Sequence, residues 1–292
     1  MRFPVLIQAL RETPRYSLRV LTKGRVMRQL LQSEDGDLRS LGEVLQKVRM
    51  RQFSSREGRW IGKIESLRKR LKTSHMDIEV VDFGAGRPGL QMSADEMRRG
   101  KVVKRTIGEI CRTDAHPGKW ALMLFSLIRK FRPIVCLELG TGLGISAAYQ
   151  WAGLQLNGSG RLITLEGSTV LAGLAQAHLD ELGLGMNPPV VGRFEDTLPE
   201  VLRESNPIDF VFIDGHHDGR ATVSYVDQIL PYLADGAVIV LDDIAWSRDM
   251  KMAWQAVREK EGIKVSLDLF LTGICLVRVP PGDRSRSVNT VI

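Results

Sequence analysis

The stretch IVCLELGTGLGIS, residues 134–146, decides the fold. It opens with six nearly continuous apolar residues, the pattern of a strand buried on both faces. Three alternate glycines follow, and a helical pattern starts at Ile145. Gly140, Gly142 and Gly144 let the backbone turn sharply and let a ligand approach with no Cβ in the way. A strand, a glycine turn and a helix in that order form a nucleotide-type binding corner.

Downstream of that corner, short apolar runs alternate with helical patterns. RLITLE (161–166), PVVGRF (189–194), IDFVFID (208–214) and GAVIVLD (236–242) read as strands. The segments between them, 145–156, 168–183, about 197–204 and 220–233, read as helices. This alternation predicts a doubly wound, mostly parallel sheet with right-handed crossovers. After a helix near 249–260, IKVSLDLF (263–270) and GICLVRV (273–279) are joined by a turn too short for a crossover, so they pair antiparallel.

The second strand ends in Glu166, about 22 residues after Gly144. An acid at that place in such sheets accepts hydrogen bonds from ribose hydroxyls. The glycine spacing is G-x-G-x-G, not the G-x-G-x-x-G whose helix N-terminus receives a pyrophosphate. Glu138, two residues before the first glycine, would repel a pyrophosphate and suits a cationic ligand. A second stretch, VVDFGAGRPG (80–89), looks similar, with Asp82 in the acid position. It lacks a following amphipathic helix, and Pro88 disturbs a helix start there. It reads as a turn in the N-terminal extension, a candidate for folding over the site.

The 292-residue chain carries a formal charge of +7. Residues 1–75 hold 18 Lys and Arg against 7 Asp and Glu, whereas the remainder holds 23 against 27. The basic excess therefore belongs to the N-terminal quarter, which can meet an anionic partner or simply be the solvated face of helices. Its start is Arg-rich, with a weak likeness to a transit peptide. It lacks the apolar region and small-residue cleavage site of a secretory signal. Within it, 33–40 reads as a loop before a helix from Leu41 to about Met50, and Trp60 to Leu71 has helical spacing. Residues 94–112 and 117–131 read as two further helices. No apolar run approaches the roughly 18 residues of a membrane span. Three scattered cysteines, Cys111, Cys136 and Cys275, point to a reducing, cytoplasmic setting and not to a disulfide framework. Self-association as a homo-oligomer is compatible with all of this.

The run from about Arg132 to Val279 resembles the class I S-adenosylmethionine-dependent methyltransferases, especially the catechol O-methyltransferase-like branch. The resemblance implies a Rossmann-like, seven-stranded, mostly parallel sheet with an antiparallel last strand. It divides the chain into a mainly helical extension (1–131), a cofactor-binding methyltransferase domain (132–280) and a flexible tail (281–292). By the resemblance, Glu138, Gly140, Thr141, Gly142 and Gly144 surround the methionine part of S-adenosylmethionine, and Glu166 holds the ribose. Adenine falls to the segment 192–196. Arg193 stands where many relatives have an acid, so the contact shifts to Phe194 or Glu195. Asp214 lies beside the methyl group, and Asp214, Asp242 and Asp243 match the positions of Mg²⁺ ligands, usually Asp, Asp and Asn. Three close carboxylates repel one another unless a cation or a proton relieves them, and oxygen ligands suit Mg²⁺ or another divalent cation.

Catechol-type relatives carry Lys three residues after the first Asp, where this chain has His217. Imidazole suits general-base work on a hydroxyl. A metal-free reading therefore stands beside the metal one. In it, Asp214 and His217 activate the acceptor, and Asp242 and Asp243 cap the next helix. His216 and His217 as ordinary surface residues is the plain alternative. Trp246 and Trp254 are candidates for an acceptor pocket or for packing against the sheet. The implied activity is O-methylation of a small molecule. The rivals are an RNA ribose methyltransferase using the basic N-terminus and a non-catalytic module that binds S-adenosylmethionine.

Overall fold

A computed structural model describes residues 25–87, 90–115 and 118–278. The Arg-rich start and the tail at 281–292 lie outside the described residues. Among the described residues three helices come first: α1 (Arg25–Leu31), α2 (Gly36–Met50) and α3 (Ser55–Lys72). Asp35 caps α2, its carboxylate accepting from the N–H groups of Asp37 and Leu38. That cap starts the helix five residues before Leu41, so most of the expected loop at 33–40 is helical. Ser54 and Glu57 form a capping box at the start of α3.

Then come β1 (Asp77–Asp82), the short pair β2 (Gly86–Arg87) and β3 (Leu90–Gln91), α4 (Ala94–Arg99), β4 (Lys101–Thr106), α5 (Ile107–Thr113) and α6 (Gly118–Phe131). The single helix expected over 94–112 is thus a helix, a strand and a second helix. Gly100, at φ 74, ends the first, and the β-branched pair Val102–Val103 pairs antiparallel with Val81 and Val80 of β1. Pairing with a strand distant in sequence overrides the local helical pattern.

The remaining elements are β5 (Val135–Leu139), α7 (Ile145–Asn157), β6 (Arg161–Glu166), α8 (Thr169–Glu181), β7 (Val190–Val191), α9 (Phe194–Ser205), β8 (Ile208–Ile213), α10 (Gly219–Ile229), β9 (Leu233–Leu241), α11 (Arg248–Arg258), β10 (Ile263–Asp268) and β11 (Gly273–Val277). The strand expected over 189–194 is only two residues long, because Gly192 at φ 148 turns the chain and α9 starts at Phe194.

The seven-stranded sheet runs in the order β10-β11-β9-β8-β5-β6-β7. Only β11 is antiparallel to its neighbours β9 and β10; the other pairings are parallel. The Rossmann-like sheet and the antiparallel last strand agree with expectation. Alternate strand residues feed two cores. Cys136, Phe210, Phe212, Val238, Val240 and Ile274 face one side, and Leu137, Leu139, Val211, Ile213, Ile239 and Cys275 face the other. The first core is shared with α1–α3 and α5–α7, so it runs without a break from Met27 to Leu276. Cys136 and Cys275 are core residues, and Trp254 is buried against the sheet. Among the described residues no helix is long and apolar enough to cross a membrane.

Candidate active site

A cavity of about 350 Å³ runs along the carboxyl edge of the strands, lined by the loops after β5, β6, β8 and β9. Open α/β sheets bind ligands at this edge.

The loop after β5 is set by its glycines. Gly140, Gly142 and Gly144 have φ values of 99°, 53° and 81°, in the left-handed region that side chains avoid. The Gly140 N–H donates to the carbonyl of Leu165 at 2.9 Å. A Cβ on Gly144 would meet Ala175 of α8 at 3.2 Å. Gly142 differs, because a Cβ there would have nothing within 4 Å, and it lines the cavity. Thr141 is buried, its hydroxyl donating to the Leu165 carbonyl at 3.3 Å. His178 of α8, buried beneath the loop, places Nδ1 3.0 Å from the carbonyl oxygen of Leu143.

Glu166 closes the floor. Its Oε2 accepts from the Gly142 N–H at 2.8 Å and its Oε1 from the Ser168 N–H at 2.9 Å. Burial raises the carboxyl's proton affinity, and these backbone donors work against the rise. The N–H groups of Gly167 and Thr141 act on the same carboxylate.

Glu138 stands behind this wall instead of in it. It is fully buried, Oε1 accepts from Gln150 Nε2 at 3.0 Å, and Oε2 has no hydrogen-bond partner. Burial pushes its carboxyl up to about 8, against the influence of Ser146 and Gln150.

Across the cavity, Asp214 follows β8, and Asp242 and Asp243 follow β9. Burial, then the charges of Asp242 and Asp243, raise the Asp214 carboxyl well above the usual carboxylate range. His217 joins the group, with Nε2 4.0 Å from Asp214 Oδ1 and Nδ1 3.9 Å from Asp243 Oδ2. The tilted Trp246 ring, exposed at the cavity mouth, lies 5.9 Å from the imidazole. Among the described residues, no group of three His, Cys, Asp or Glu side chains stands together as a ready metal-ion site. Asp242 accepts from Thr272 Oγ1 at 2.9 Å, and Asp243, on a left-handed backbone at φ 52, reaches toward His217.

At the far end, Phe194 lines the cavity and meets Tyr225 edge to face, ring centres 5.7 Å apart. Tyr225 donates its hydroxyl proton to Glu195 Oε1 at 2.6 Å, and His216 Nδ1 lies 2.7 Å from the same hydroxyl oxygen. A phenol has one proton to give, so His216 is the donor and carries Nδ1–H. Burial lowers the proton affinity of this imidazole, which favours its neutral form.

Sequence reading missed Tyr225, His178 and most of a wall contributed by the N-terminal region. Asp82, Phe83, Gly84, Ala85, Arg105 and Asp114 all line the cavity. Arg105, from β4, pairs with Asp114 and Glu109. Of these, only the DFGAG run carried a signal, as a glycine turn that was a candidate for folding over the site.

Residues 137–244 match a protein family described as a methyltransferase domain. Over 110 residues the chain is 36% identical to a catechol O-methyltransferase of Niastella koreensis, covering 37% of this chain and 48% of that protein. Over 122 residues it is 30% identical to a catechol O-methyltransferase of Mus musculus, covering 41% and 45%. The chain thus spans about half the length of the curated relatives it matches. A solved structure of a cofactor-bound protein from MTB is 26% identical, with a TM-score of 0.50 over 57% of this chain and 83% of that one. A putative caffeoyl-CoA O-methyltransferase from Staphylococcus aureus shares the fold, with a TM-score of 0.50 at 15% identity over 64% and 93%.

Proposed function

We propose, for a chain whose residues 137–244 are a methyltransferase domain similar to catechol O-methyltransferases, that it uses S-adenosylmethionine to methylate a hydroxyl of a small molecule. One observation carries the reading: Glu166 is fixed by the Gly142 N–H at the floor of a cavity where Gly142 itself leaves the space of a side chain empty. A carboxylate suits ribose hydroxyls, and the acids around the loop suit a ligand with cationic ends. A pyrophosphate there would face Glu166 and Asp214.

The donor set fits S-adenosylmethionine. Glu166 would take the ribose, and Gly140, Thr141, Gly142, Gly144 and Asp214 the methionine end. Phe194 would pack on the adenine. Glu138 would act from behind the loop, because its orphaned Oε2 is a buried acceptor whose ionisation a nearby cation favours. When bound, the cofactor supplies a methyl group on a positively charged sulfur.

His217 is the base in this reading. Asp214 and Asp243 flank its imidazole, with oxygens 4.0 and 3.9 Å from its two ring nitrogens. Alignment of acceptor oxygen and methyl carbon by the cavity walls can supply roughly 7–11 kcal/mol. Asp214, Asp242 and Asp243 have the oxygen chemistry of a Mg²⁺ site, and they would hold a divalent cation only by gathering around it, because no three such side chains form a ready site among the described residues.

The cavity lining holds Asp82, Asp114, Glu166, Glu195, Asp214, Asp242 and Asp243 against Arg105 and Arg193. Such a lining disfavours a polyanionic acceptor, which weighs against RNA despite the basic residues 1–75. Calorimetric titration with S-adenosylmethionine and S-adenosylhomocysteine, then methyl transfer to a panel of catechols and simple phenols, tests the reading. Absence of cofactor binding would overturn it, as would transfer to RNA with none to phenols.

A further inference from the structure

The segment Asp82-Phe83-Gly84-Ala85 resembles a second glycine corner in sequence, but it leads from β1 into the short pair β2–β3 and not into a helix. It projects from β1, which packs against α8, the helix that follows Glu166. Gly84 donates its N–H to Asp82 Oδ1 at 2.8 Å, an Asx-type turn that bends the chain out of the strand. Two contacts then fix the segment across the sheet edge.

The first is a socket for the Phe83 ring. A Cβ on Gly167 would stand 2.7 Å from Phe83 Cδ2, and one on Gly100 would stand 2.7 Å from Phe83 Cε1. Glycines from two separate segments therefore make room for one ring. Gly167 directly follows the acid proposed to hold the ribose. The second contact is a backbone latch, in which the Ala85 N–H donates to the His216 carbonyl at 2.7 Å. His216 and His217 both have left-handed backbones, φ 69 and 48, a conformation that costs energy unless neighbours hold it.

The sheet order explains what lies between these contacts. Gly167 follows β6 and His216 follows β8, and β5 sits between those strands. A segment anchored on both crosses above the β5 loop, over the open space at Gly142.

We propose that Phe83–Ala85 is a strap roofing the cofactor site. The Phe83 ring packs on the adenosine portion of the cofactor beside Glu166. The Ala85–His216 latch closes the roof and steadies the loop that carries His217. Cofactor exchange then requires the latch to open. This rests on the S-adenosylmethionine reading above.

The test is S-adenosylhomocysteine binding and dissociation in the wild-type chain, F83A and F83L, with hydrogen exchange at the Ala85 amide. The expected result is at least ten-fold weaker binding in F83A through faster dissociation, largely restored in F83L. Cofactor saturation should also slow exchange at Ala85 in the wild type. If the wild type binds no cofactor, the functional reading fails. If the wild type binds and F83A matches it in affinity and dissociation, the strap is wrong. Should F83A fold poorly, the exchange arm decides alone: an Ala85 amide indifferent to bound cofactor overturns the strap.

Discussion

A methyl group on Gly140 would stand 2.0 Å from the carbonyl oxygen of Asp214. The ends of β5 and β8 are pressed together there, backbone against backbone, so no side-chain movement could relieve the clash.

G140A should therefore destabilise the fold by about 2–4 kcal/mol, from the clash and from the φ of 99°. G142A has open space and should cost about 1 kcal/mol. Its methyl would stand in the cavity, so cofactor affinity should fall while the fold persists. Denaturant unfolding and calorimetry separate the two, and equal stability of both variants would contradict the argument.

Glu138 makes stability depend on pH. Its carboxyl titrates near 4.5 when unfolded and at about 8 when folded. Between those values the folded state binds the proton more tightly, so stability is lost as pH rises across the window. E138Q removes that loss and should be more stable than wild type by roughly 3 kcal/mol at pH 7, with little difference at pH 4. The same change should weaken S-adenosylmethionine binding. Parallel unfolding curves at every pH would refute the assignment.

Replacing His217 should spare cofactor binding and strike turnover. H217A and H217Q should lower kcat by about 10²–10⁴, with the S-adenosylhomocysteine Kd changed less than three-fold. An unaltered kcat would move the base elsewhere.

Tyr225 holds a tautomer. Nitrogen-15 spectra should show His216 protonated at Nδ1 in the wild type. Y225F removes the group shared by His216 and Glu195, so the tautomers should mix. The expected stability loss is about 1 kcal/mol, with kcat/KM reduced several-fold. A wild-type spectrum with the proton on Nε2 would break the proposed chain of donors.

Legibility in the sequence followed how local each cause was. Glycines 140, 142 and 144, the acid at Glu166 and the tight turn before β11 each act within a few residues of backbone, and each stands in the fold where the sequence placed it. Lys101–Thr106 was read as helix because its partner, β1, lies some two dozen residues away and no local pattern reports that pairing. Asp242 takes its place from the end of β9, but its partner Thr272 lies thirty residues on, and no local pattern reports that contact.

The sequence by itself determined the alternating sheet, the antiparallel last strand and the glycine corner with its acid, because strand length, periodicity and backbone freedom are properties of short segments. Tertiary structure alone decided that Glu138 is sealed behind the corner and that Asp242 meets Thr272 while Asp243 turns toward His217. It alone set Phe83 and Ala85 over the β5 loop. Those outcomes depend on burial and on contacts between distant segments, and they exist only once the sheet order has brought β8, β5 and β6 side by side.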